Sequence, residues 1–116
     1  MSEQSDSLSA ISSYLENEFG MNADETGEIL DIFFEESEAL VLKIGESIEK
    51  SDASELVMSA HALKGSAANI NAAIISELAL EIEAAAKSGD VPRGKELFPA
   101  LETAFGKLRN EYASKN

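Results

Sequence analysis

His61 is the only histidine in a chain of 116 residues, and it stands in the run Ala60-His61-Ala62-Leu63-Lys64-Gly65-Ser66-Ala67-Ala68-Asn69-Ile70-Asn71. A lysine follows it by three residues and a glycine by four. On a helix those offsets put all three residues on one face. A neutral imidazole nitrogen is a good nucleophile near pH 7, and a phosphoryl group that it accepts carries negative charge that a nearby ammonium can offset. Lys64 is spaced to supply that cation. Gly65 costs about 1 kcal/mol relative to alanine in a helix interior; in return it removes a side chain one turn from the imidazole and leaves room for a second protein. This set suits a covalent phosphate carrier. From spacing alone, an incidental surface histidine beside a solvated lysine is an equally open reading.

Composition narrows the field. The formal charge is -13, from 22 acids against 9 bases, which argues against nucleic acid, because few cations are available to release phosphate counterions. It also disfavours anionic membrane surfaces. There is no cysteine, hence no disulfide framework and no thiolate metal site, as suits a reducing compartment. With a single histidine and without the Glu-x-x-His pairs of bundle metal sites, a bound metal or a helical hydrolase is remote. Residues 1–7 lack the basic and apolar regions of a signal peptide, and no apolar run approaches the roughly 20 residues of a spanning helix. The expectation is a soluble, cytoplasmic monomer that binds neither nucleic acid nor membrane.

The elements that must position His61 are helical. Apolar positions recur at helical spacing throughout and predict five helices without strands. The first runs from about Ser7 to Phe19 with Leu8, Ile11, Leu15 and Phe19 on one stripe, ended by Gly20. The second, capped by Asn22 or Asp24, reaches about Lys50 with Ile29, Phe33, Leu40, Ile44 and Ile48 inward, and Gly45 in it marks a close crossing. Asp52 and Glu55 have the spacing of a capping box and open the helix that carries His61. Its core stripe is Leu56, Ala60, Leu63, Ala67 and Ile70; at about 100° per residue, His61 falls outside it with Val57, Met58, Lys64, Gly65 and Ala68. Asn71 ends that helix and is a candidate cap for the next, which runs from about Ala73 to Ser88 with Ile75, Leu78, Ile82 and Ala85 inward. Gly89 and Asp90 then stop one helix and cap the last. The last helix shows Leu97, Leu101, Ala104, Leu108 and Tyr112, with Pro92 in its first turn and Pro99 predicting a kink. Helices two to five, joined by short turns, form an antiparallel up-down four-helix bundle with the short first helix packed across one end. One domain over residues 7–113 accounts for the chain, with residues 1–6 and 114–116 expected to be disordered.

The pattern His-x-Leu-Lys-Gly-Ser-Ala-x-Asn-Ile, carried by His61, Leu63, Lys64, Gly65, Ser66, Ala67, Asn69 and Ile70, resembles that of the histidine-containing phosphotransfer (HPt) domains of multistep phosphorelays. The one departure is Asn71, where the family usually has glycine. Asparagine is the next-best residue for a left-handed helix cap. The resemblance implies the four-helix bundle and a phosphorelay carrier without kinase activity. In that role His61 accepts a phosphoryl group from a receiver-domain phosphoaspartate and passes it to another receiver aspartate. It further implies as partners response-regulator receivers and the receiver of a hybrid histidine kinase. No cofactor is implied on this chain, since Mg is expected on the partner receiver. The rival reading is a structural or adaptor bundle that is never phosphorylated.

The family commonly places a glutamine or glutamate on the following helix to accept a hydrogen bond from the imidazole Nδ1, and the matching position is Glu83. The alternative is that Glu83, with Glu77 and Glu81, belongs to a solvated face. Val57, Met58 and Ala68 are either boundary core residues or a small apolar docking rim, shared with Leu8, Ile11 and Leu15 of the first helix; Gly65 leaves that face open, and Asn69 either contacts the partner or supports the helix end. Core packing is the competing reading for the three residues of the first helix. The role of Ser66 stays open.

Overall fold

The computed structural model describes residues 6–115. Five helices follow one another: α1 (Leu8–Phe19), α2 (Ala23–Glu49), α3 (Ala53–Asn69), α4 (Ala73–Lys87) and α5 (Val91–Lys115), and no strand occurs among the described residues. Local signals set most of the ends. Asn22 and Glu25 form a reciprocal capping box at the start of α2. Asp52 accepts from the Glu55 N–H at 3.1 Å, but the box expected there is only half made, because Glu55 Oε1 accepts instead from Ser47 Oγ at 3.0 Å. Asn71 adopts a left-handed φ of 63°. Around it the Ala72 N–H reaches the Ala67 carbonyl at 2.8 Å and the Asn71 N–H reaches that of Ala68 at 3.0 Å, the paired bonds of a Schellman ending. The helix carrying His61 therefore stops where the sequence indicates, with asparagine doing what glycine does more easily. α5 is capped by Asp90, which accepts from the Arg93 N–H at 3.1 Å, and continues as one helix through Pro99.

Two helix starts are served from far along the chain. The N-cap residue of α4 is Ala72, which offers no side-chain bond. Its orphan donors Ile74 N–H and Ile75 N–H reach the two oxygens of Asp6, at 3.0 and 2.9 Å. The cap is Asp6 and not Asn71, and Asp6, placed by sequence in an unstructured tail, is buried. The rest of that tail, residues 1–5, and residue 116 lie outside the described residues. At the start of α1, the Leu8 N–H donates to Glu111 Oε1 of α5 at 2.9 Å. That bond, and the stacking of Tyr112 on Phe34 with ring centroids 4.5 Å apart, give the last turns of α5 partners, and the helix runs on to Lys115.

α2 packs on α3, α3 on α4, α4 on α5, and α5 closes back on α2, while α1 lies against α2 and α5. Each consecutive pair in the bundle is joined by a turn of three residues, which forces antiparallel neighbours. α2 has 27 residues, about 40 Å at 1.5 Å per residue, and so spans nearly the whole 43 Å length of the molecule. The core holds Leu56, Leu63, Ile75, Ile82, Leu101 and Leu108 without exposure, and truncating such a side chain to alanine costs about 2–5 kcal/mol. Gly45 is the close crossing that the sequence indicates: a Cβ there would meet the Phe98 ring at 3.2 Å. Phe19 departs from its expected inward stripe and is exposed.

Candidate functional site

The face of interest arises at the α3–α4 seam, the most extensive helix–helix contact in the molecule. On these two helices Ala60, Ala67 and Ala79 are fully buried and Ala86 nearly so. Alanine lets two helices approach closely, so a glutamate on α4 can reach a side chain on the outer edge of α3. His61 follows the fully buried Ala60 on α3, and its side chain is 66% exposed.

Glu83 is 3% exposed at its side chain, and three donors converge on it. His61 Nδ1 lies 2.9 Å from Oε2, Lys64 Nζ lies 2.9 Å from Oε1, and Lys87 Nζ lies 3.4 Å from Oε2. The Lys64 contact is an ion pair off the hydrogen-bond axis, for Oε1 has no well-directed hydrogen bond. Burial by itself would push the Glu83 carboxyl up; the contacts from Lys64, then His61 and Lys87, outweigh it and lower the pKa to about 2. Near neutral pH Glu83 is thus a carboxylate, which can only accept. Its ring partner must be Nδ1–H, and the lone pair of a neutral imidazole is left on Nε2, on the side away from Glu83.

The other residues singled out by sequence divide into two groups. Met58, Gly65, Ala68 and Asn69 are exposed and Val57 half-buried on α3, and Gly65 has open space where a Cβ would stand. Leu8 and Ile11 take the core reading and not that of a docking rim; Leu15 is core as well, yet it also lines the groove between α1, α2 and α3. The three are 4%, 2% and 2% exposed and form part of the core, because α1 turns its apolar stripe onto α2 and α5. What α1 offers outward is Phe19, which lines that groove, of about 240 Å³, with Met21, Ile32, Ser66 and Asn69. Two features escaped the sequence reading. Lys87 stands four residues after Glu83, a spacing at which helical acid–base pairs meet, so it was open to detection. The groove was not, since it needs three helices in place. Among the described residues no group of three or more His, Asp or Glu is placed to hold a metal ion, and no helix is long and apolar enough to cross a membrane.

The Hpt domain family model matches residues 28–111 of the chain. The chain belongs to the Hpt domain family. An Hpt domain is a histidine phosphotransfer carrier of phosphorelays and not a kinase, and its partners are receiver domains. The family match runs from within α2 to within α5 and leaves α1 outside it. The fold with α1 included is similar to that of the histidine-containing phosphotransfer protein B (HptB) from Pseudomonas aeruginosa PAO1, with a TM-score of 0.81 at 24% identity over 98% of this chain and 96% of that one. No curated protein sequence matches the chain at a significant level.

Proposed function

We propose that His61 is the phosphoacceptor of this Hpt domain, and that it carries phosphoryl groups from the phosphoaspartate of one receiver to an aspartate of another. The observation that carries this reading is the 2.9 Å contact of His61 Nδ1 with the buried Glu83 carboxylate. It selects the tautomer whose outward nitrogen is nucleophilic. In the forward step the Nε2 lone pair attacks phosphorus, the N–P bond forms, and the P–O bond to the aspartyl carboxylate breaks with its electron pair leaving on that carboxylate. The ring keeps Nδ1–H throughout, and its positive charge faces Glu83. The divalent cation that such transfer needs is expected on the receiver, and Lys64 supplies the charge on this side. Delivery to the second aspartate is the same step reversed.

Docking is assigned to the exposed face of α3 around Met58, Gly65, Ala68 and Asn69, with half-buried Val57 at its edge, continuing into the groove under Phe19 and Ile32. A carrier must leave each partner before meeting the next, so this interface is modest in area and transient. The test is incubation with phosphorylated receivers. Label is expected on His61 alone, acid-labile and base-stable as a phosphoramidate; a His61→Gln protein that still takes label would overturn the assignment.

A further inference from the structure

Sequence spacing marks Lys64 as the cation for the phosphoryl group, yet its ammonium is already paired with Glu83 Oε1 at 2.9 Å. A phosphoryl group brings about 1.5–2 negative charges, and Lys64 can meet them only by sharing or leaving Glu83. Glu83 would then be a buried carboxylate short of one cation, a state that favours protonation. The consequence reaches the nucleophile. A protonated Glu83 can donate to Nδ1, whereupon the neutral ring carries its proton on Nε2 and the attacking lone pair is lost.

Lys87 is placed to prevent this. It sits at the end of α4, its side chain is 64% exposed, and its Nζ is 3.4 Å from Oε2, the same oxygen that takes the Nδ1–H of His61. We propose that Lys87 is a positioning residue for phosphotransfer: it holds the Glu83 carboxylate against His61 while Lys64 turns toward the phosphoryl group. The two lysines divide the work, one on each carboxylate oxygen, and the more exposed one stays behind. This inference rests on His61 as phosphoacceptor. Being exposed, Lys87 can be replaced without disturbing the core.

The test uses the full chain, the ring 15N shifts of His61 as a measure of tautomer, and a receiver domain phosphorylated with acetyl phosphate as donor. In a Lys64→Gln background, where the first cation has already left the carboxylate, Lys87→Gln is expected to lower the Nδ1–H population, and with Lys64 present it is expected to slow transfer by about two- to fivefold, the scale of an ion pair this exposed; Lys87→Arg is expected to restore both. In a Glu83→Gln background the same Lys87→Gln change should do nothing more. An unchanged tautomer in the Lys64→Gln background, or an unchanged rate with Lys64 present, would overturn the proposal. So would equal slowing with and without the Glu83 carboxylate, which would mean that Lys87 touches the receiver directly. If the unsubstituted chain takes no label on His61, the phosphoacceptor reading falls, and the 15N comparison still decides whether Lys87 acts on the ring through Glu83.

Discussion

Glu83 Oε2 lies 2.9 Å from His61 Nδ1, although the acid is 3% and the imidazole 66% exposed. A buried anchor thus holds a solvent-facing ring. The aliphatic part of Glu83 is packed at the α3–α4 seam and restricts its carboxylate, and the carboxylate in turn restricts the orientation of the ring.

Acid should loosen this arrangement in a defined window. The Glu83 carboxyl is lowered from 4.5 to about 2 in the folded chain, so the unfolded chain binds the proton first as pH falls. The stabilisation from Glu83 is fully present above pH 4.5 and is lost progressively as pH drops from there toward 2. Urea midpoints measured across that window should fall less steeply for Glu83→Gln than for the unsubstituted chain. Parallel curves would mean that the contacts to Glu83 add nothing to stability.

At Gly65 stability and function should move apart. A Cβ there meets open space, so Gly65→Ala should raise stability by up to about 1 kcal/mol. Gly65→Leu should keep the fold while its side chain, one turn from His61, covers the imidazole and blocks receivers. Thermal denaturation and receiver binding on both variants test this, and normal docking by the leucine variant would assign Gly65 to another purpose.

Asp6 should contribute far more than its place in the sequence suggests. Its carboxylate is the cap of α4, binding Ile74 and Ile75 N–H, and it ties the chain before α1 to the turn that follows the His61 helix. Asp6→Ala should cost about 1–2 kcal/mol, the usual loss for an N-cap, and should speed amide exchange at Ile74 and Ile75. Unchanged exchange at those two amides would show that the cap is dispensable.

What the sequence determined was whatever depends on residues within about one helical turn of each other. The caps at Asn22, Asp52 and Asp90, the left-handed ending at Asn71, the inward stripe of α3 and the outward place of His61 all follow from local hydrogen bonds and a 3.6-residue period. Tertiary structure decided the rest. Whether Glu77, Glu81 or Glu83 meets the imidazole depends on how α4 is rotated against α3, and in the packed bundle it is Glu83 that is buried. Lys64 has the right spacing from His61 but finds its ion-pair partner on another helix. Leu8, Ile11 and Leu15 are equally apolar in either reading, and it is the lie of α1 across α2 and α5 that makes them core and leaves Phe19 outside. Asp6 meets Ile75 across 69 residues of chain, and Glu111 meets Leu8 across 103. No local pattern encodes such pairs, because each forms only when all the helices between have packed together.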